Sequence, residues 1–177
     1  MFLTPNSQME EYRAKGWWGK RTVDDMLQDA ISAYPANMAL VDPLNRESLD
    51  GVAPRSLTWT ELGQEVEQTA AALLARGLKK DDRLVVQLPN TIDAVIIFLA
   101  GARIGLIISP VVMQYREHEI GYIIEKIEPA AFVTIPKFGT FDHAKLGHSL
   151  TDGRADVQLI TLNDDGGTAL DRLSADS

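Results

Sequence analysis

The chain has 177 residues, 45% hydrophobic and 24% charged, with 17 Lys and Arg against 25 Asp and Glu for a formal net charge of −8. That length fits one domain with a sizeable core, and an acidic balance without a long basic run argues against nucleic acid as a partner. With no cysteine, disulfides and thiolate metal sites are excluded.

Residues 1–21 read as a lead-in. Met1 to Glu11 has neither an apolar core nor a basic start, so it does not look like a signal peptide, and cytoplasm is the expected compartment. Arg13, Lys15, Lys20 and Arg21 cluster between Glu10, Glu11, Asp24 and Asp25, which makes a solvated face. Trp17 and Trp18 are expected to pin this segment onto the domain; lining an acyl pocket is the other reading.

Residues 22–163 read as an α/β core. A hydroxyl or amide residue followed three positions later by an acid marks a helix start through reciprocal capping. The pattern occurs at Thr22/Asp25, Thr58/Glu61, Asn90/Asp93 and Thr168/Asp171. The first helix is predicted over 23–34, burying Val23, Met26, Leu27, Ala30 and Ile31 before Pro35 stops it. Met38 to Val41 reads as a strand, Asp42 to Arg55 as a turn-rich loop and Ser56 to Thr58 as the returning partner strand. The second helix, 60–76, sets Leu62, Val66, Ala70 and Leu73 on one side and ends at Gly77 as a left-handed stop.

Arg83 to Leu88 is apolar and β-branched, as a buried parallel strand should be. A helix over 92–104 follows, apolar on nearly all sides and so expected to be buried on more than one. The apolar run from Ile92 to Val112 is long enough for a membrane span, but Asp93 and Arg103 lie inside it and Gly105 and Pro110 interrupt it, so helix and buried strand (106–109) fit better. A helix over 116–126 carries Ile120, Ile123, Ile124 and Ile127 at helical spacing, and Pro129 ends it. A strand at 131–135, a short helix near 142–150 and a strand at 157–162 complete the alternation. Strands alternating with helices predict a doubly wound, mostly parallel α/β sheet with flanking helices and right-handed crossovers. Residues 164–177 are polar and read as a tail.

Two motifs carry a resemblance. Leu57-Thr58-Trp59-Thr60-Glu61-Leu62, and Leu99-Ala100-Gly101-Ala102-Arg103-Ile104-Gly105 followed by Leu106 to Pro110, stand in order. Between them lie Gly77, Asp82 to Val86 and Leu88-Pro89-Asn90 in register. The chain thereby resembles the N-terminal part of the adenylate-forming superfamily of acyl- and aryl-acid CoA ligases, peptide-synthetase adenylation domains and luciferase, with Trp59 where Tyr is usual. Tyr12 to Trp18, Tyr115 to Ile120 and Ile127 to Ala131 are similar to the aryl-acid and fatty-acyl CoA ligases. The likeness runs from Met9 to Leu173, about the first third of such an enzyme.

The resemblance implies a scaffold segment of a larger ligase N-terminal domain. Whole enzymes of this kind use ATP and magnesium to turn a carboxylic acid into an acyl-adenylate and pyrophosphate, then pass the acyl group to CoA. The chain has no Gly-rich loop ending in Pro-Lys, no Tyr-Gly-x-Thr-Glu segment and no Walker or dinucleotide fingerprint. Gly166-Gly167-Thr168, beside Asp164 and Asp165, is too short and acidic for a triphosphate. No catalytic residue, metal ligand or cofactor is therefore expected here; ATP, Mg2+ and CoA belong to the whole enzyme, and the chain alone is expected to be inactive. The remainder of a ligase chain is its expected partner. His143 and His148, five apart, fall on different helix faces and make a poor metal pair. In open α/β sheets ligands gather beyond the strands' carboxyl ends, where Gln114, Tyr115 and Arg116 follow the strand ending at Ser109. Arg116 is the one candidate binding residue, for an anionic part of CoA in the whole enzyme; a solvated helix start paired with Glu119 is the other reading. A stand-alone nucleotide-binding module, and a module that self-associates through exposed apolar surface, are the alternatives to the ligase reading.

Overall fold

Local capping starts the helices that frame the sheet. In the computed structural model, which describes residues 4–162, the side chain of Thr22 accepts a hydrogen bond from the Asp25 amide, and the Asp25 carboxylate accepts one from the Thr22 amide at 2.7 Å. This reciprocal pair opens α2 (Val23–Ala33). Thr58 and Glu61 repeat it at the start of α4 (Trp59–Ala75). Each pair satisfies two of the orphan amides of a helix start. At the other end of α4, Gly77 has φ +83°, the left-handed stop that its position after the last apolar residue predicts.

Before α2, a short polar helix, α1 (Asn6–Ala14), occupies the lead-in. Trp17 and Trp18 do not pin it under the core. They pack on Tyr12 of the same segment, with ring centroids 5.6 and 5.3 Å away, and remain exposed. The strands β1 (Met38–Val41) and β2 (Ser56–Thr58) pair antiparallel as expected. The loop between them holds a further helix, α3 (Arg46–Asp50), where only turns were predicted.

The central sheet has four parallel strands: β3 (Arg83–Val86), β4 (Ile107–Pro110), β5 (Ala131–Thr134) and β8 (Gln158–Thr161), in the order β4-β3-β5-β8. A two-residue hairpin, β6 (Lys137–Phe138) with β7 (Phe141–Asp142), follows β5. The crossover helices are α5 (Ile92–Ile104), α6 (Glu117–Ile127) and α7 (His143–Thr151).

Side-chain alternation divides the core into two clusters. Leu84, Val86, Ala131, Val133 and Ile160 pack with residues of α4 and α5, including Leu62, Leu73, Ile96 and Ala100. Val85 and Phe132 pack on the opposite face with Ile120 and Ile124 of α6 and Leu146 of α7. Helices thus cover both faces, which is why these strands read as continuous apolar runs. The first helix is less buried than its pattern suggests. Leu27 is buried and Ala30 and Ile31 half-buried, but Val23 and Met26 are exposed because α2 lies outside α4 and α5. The Asn90/Asp93 cap is not formed either. The residue before α5 is Thr91, whose side chain makes no capping bond, and Asp93 is engaged elsewhere. The Thr168/Asp171 cap and the tail lie outside the described residues.

Candidate functional site

In the order β4-β3-β5-β8 the chain lays β4 on one side of β3 and β5 on the other. The carboxyl ends of β3 and β5 therefore flank the switch point at which open α/β sheets take ligands. Gln87, directly after β3, is fully buried there. Its amide nitrogen donates to the carbonyls of Val112 (3.0 Å) and Tyr115 (3.1 Å), so its oxygen is the atom that faces His143 Nδ1 at 3.1 Å. That assignment makes Nδ1 the protonated nitrogen of a neutral His143. Burial, and then the Arg116 charge, push the His143 pKa down to about 4. Gln87 thus ties the loop after β4 to the start of α7, where its partner His143 lies 56 residues further along the chain.

Arg116 sits at the end of that loop. Its backbone amide donates to the Glu119 carboxylate at 3.0 Å, the Glu half of a capping box for α6, and this bond holds the Glu119 carboxyl below its ordinary range. The guanidinium is half-buried. Nη1 donates to the carbonyls of Met113 (2.6 Å) and Tyr115 (2.8 Å), and its centre lies 3.8 Å from the Phe141 ring centroid. Phe141 in turn stands edge-on to His143. Gln114 and Tyr115 are exposed.

Beyond the carboxyl ends of β3 and β4 lies a groove of about 670 Å3. Its floor and walls are largely apolar, from Val86, Leu88, Ala94, Phe98, Ile108 and Val112, with Arg46 and Leu49 of α3 on one side. Arg46 is only 2% exposed. Its guanidinium donates to Asp42 at 2.7 Å, to Asp50 at 3.2 Å and to Asp93. Burial alone would lower its pKa, but the Asp93, Asp42 and Asp50 carboxylates outweigh that and raise it. Asp93 also binds Arg55 at 2.8 Å, and Arg55 reaches Glu65. Asp42 completes the cluster by accepting the Ile92 amide at 2.9 Å, which caps α5 from another element. The spacing rules that found the local caps give no sign of this cluster, because its partners are up to 50 residues apart.

The family model for AMP-binding enzymes matches residues 27–176. The chain belongs to this family. The salicyl-AMP ligase / salicyl-S-ArCP synthetase of Mycobacterium tuberculosis is 28% identical over 163 residues, covering 92% of this chain and 28% of that protein. The medium-chain fatty-acid–CoA ligase of Escherichia coli is 30% identical over 131 residues, 73% of this chain and 22% of that one. Among solved structures, apo MbtA of Mycobacterium smegmatis superposes with a TM-score of 0.76 at 22% identity, covering all of this chain and 31% of its own. That likeness establishes the shared fold: the sheet described above is that of the N-terminal domain of adenylate-forming enzymes. The chain spans less than a third of the length of these AMP-binding relatives.

No set of three or more His, Asp or Glu side chains converges on a metal position among the described residues. The three aspartates that do gather, Asp42, Asp50 and Asp93, are all bound by Arg46, and Asp93 by Arg55 as well. The groove is lined mainly by apolar side chains, with Asn45, Asn90, Thr91 and Gln114 as its uncharged polar ones. No helix among the described residues is long and apolar enough to cross a membrane.

Proposed function

We propose that this chain supplies the framework of an ATP-dependent, AMP-forming carboxylic acid–CoA ligase. In that reading the complete enzyme activates the acid as an acyl-adenylate, releases pyrophosphate and transfers the acyl group to the CoA thiol. The parallel sheet and its helices carry segments that handle nucleotide, Mg2+ and acid. The observation that carries the proposal is the family match over residues 27–176 of a chain covering less than a third of its relatives. The relatives named above act on salicylate and on medium-chain fatty acids, so the acid class proposed is aryl or medium-chain acyl.

The test is ATP–pyrophosphate exchange with salicylate, benzoate and octanoate. The 177-residue chain alone is expected to show none, and turnover by it overturns the proposal. Joined to the part of the Mycobacterium tuberculosis ligase beyond the aligned segment, it is expected to restore acid-dependent exchange.

Arg116 belongs to the same proposal as a CoA contact. Its Nη1 is held by two carbonyls and its plane by Phe141, which presents the guanidinium in a fixed orientation at the rim of the sheet. With the chain joined instead to the corresponding remainder of the Escherichia coli medium-chain fatty-acid–CoA ligase, Arg116→Ala should raise the KM for CoA severalfold while leaving octanoate-dependent exchange unchanged. An unaltered CoA KM removes Arg116 from the reading.

A further inference from the structure

Gln87 stands two residues after Val85, and so on the face of the sheet that carries Phe132 and the helix residues Ile120 and Ile124. Gln87 and His143 are both fully buried there. Two polar side chains in such a place are costly to desolvate, where apolar ones would pack without that cost; what the polar pair adds is direction. A carboxamide can sit either way round. With His143 Nδ1 as the donor, the Gln87 oxygen faces the imidazole and the nitrogen faces the carbonyls of Val112 and Tyr115. Reversed, the amide would set its oxygen against those two carbonyl oxygens and its nitrogen against Nδ1–H. The other imidazole nitrogen, Nε2, is buried without a partner among the described residues, so nothing there competes for the proton. The Tyr115 carbonyl that Gln87 holds also accepts from Arg116 Nη1 at 2.8 Å. Phe141, which lies against the face of the Arg116 guanidinium, stands edge-on to the His143 ring with centroids 4.8 Å apart. Arg116 is therefore held twice by the same buried pair, through a loop carbonyl by Gln87 and through the Phe141 ring by His143.

We infer that Gln87 and His143 are positioning residues for Arg116: the imidazole fixes which way the buried amide points, and the amide fixes the carbonyl on which the guanidinium is aimed. Both side chains are buried, so they act on CoA only through Arg116. The inference rests on the assignment of Arg116 to CoA above. Its physical content is preorganisation. An arginine carries a long rotatable stem, and ordering that stem at the moment of binding weakens the contact. Here the order is built into the folded chain by side chains that the ligand never meets.

The test is a mutant cycle in the joined enzyme of the Arg116 experiment, with the KM for CoA read at saturating ATP and octanoate. Gln87→Met keeps the length of the side chain and removes its donor and acceptor. His143→Phe keeps a ring and removes Nδ1–H. Each should raise the KM for CoA by about threefold to tenfold, the worth of one hydrogen bond, with kcat little changed. In the Arg116→Ala background neither should add a further rise, because no guanidinium is left to aim. His143→Asn, which presents a donor to the Gln87 oxygen, should restore the parent KM. Rises that multiply with that of Arg116→Ala overturn the inference. So do Gln87→Met and His143→Phe at the parent KM beside a raised KM for Arg116→Ala, which leaves Arg116 its contact. A parent KM in Arg116→Ala removes the contact, and the inference with it. A second measurement needs no variant to stay folded. On the 177-residue chain, nitrogen–proton correlations through the imidazole rings, read by NMR at neutral pH, should show His143 neutral with its proton on Nδ1; the spectrum of His143→Asn identifies the signal. A proton on Nε2 instead overturns the inference, since Gln87 would then donate to Nδ1 and turn its oxygen toward the loop.

Discussion

Arg46 carries its charge into the interior because three aspartates meet it there, and the cost of that arrangement is set by what happens when one partner is lost. Replacing it by Met leaves Asp42 and Asp50 buried without the cation that binds them, and Asp93 with Arg55 alone. Breaking a buried pair in this way typically costs about 3–5 kcal/mol, and urea unfolding of Arg46→Met should show a loss of that size. Asp93→Asn should cost less, since Arg46 keeps two carboxylates. His143 makes the opposite case, a group kept neutral. Its pKa falls from 6.5 in the unfolded chain to about 4 in the folded one. Between those values the unfolded state takes up a proton that the folded state refuses, so His143 stability is complete above pH 6.5 and is lost as pH falls toward 4. The loss rises to about 3 kcal/mol below that range. In His143→Asn, which keeps a donor for the Gln87 oxygen, the decline of unfolding free energy from pH 6.5 to 4.5 should be shallower by up to about 1.4 kcal/mol per pH unit. An unchanged slope would show that His143 is not the titrating group.

At the scale of elements, the helix starts separate what short spacing encodes from what it does not. Thr58→Ala removes the side-chain half of the α4 cap and leaves the Glu61 half in place, so it should cost about 1 kcal/mol in thermal unfolding. The Thr22/Asp25 and Thr58/Glu61 caps, the span of α5 and the β1–β2 pair were legible because each depends on residues a few positions apart or on an uninterrupted apolar pattern. The cap of α5, though not its start, was misread because Asp93 is drawn off by Arg46 and Arg55, and the capping carboxylate is that of Asp42, 50 residues before Ile92. Helix α3 was hidden by Pro43, Asn45, Asp50 and Gly51, which read as turn formers, and α1 by a polar stretch in which Met9 alone is buried. The same reason applies to the switch point. Gln87 and His143 meet only because β3 and β5 are neighbours in the sheet, and nothing in the spacing of the two residues announces it. Arg116 could be placed after β4 from the order of elements, but its contacts with Met113, Tyr115 and Phe141 depend on the loop and hairpin geometry.

Among the described residues, two hydrophobic clusters lie on the two faces of one parallel sheet. Leu84 and Val86 enter the cluster under α4 and α5, while Val85, between them, enters the cluster under α6 and α7. Neither face can therefore loosen without disturbing a strand that serves the other, and the two clusters should unfold together. Phe132 allows that to be tested, because it is the largest fully buried side chain among the described residues and packs in the α6–α7 cluster. Phe132→Ala should cost about 3–5 kcal/mol from lost burial and the cavity left behind. Trp59 reports from the opposite side, where it packs against the α4–α5 cluster. With Trp17 and Trp18 replaced by Phe, its fluorescence follows that face alone. In urea, Phe132→Ala should move the Trp59 transition and the far-ultraviolet circular dichroism transition to the same lower midpoint. A Trp59 midpoint that stayed at the parent value while the circular dichroism signal shifted would mean that the faces melt separately. The shared strand β3 would then not couple them, and the chain would be two half-cores resting on a sheet.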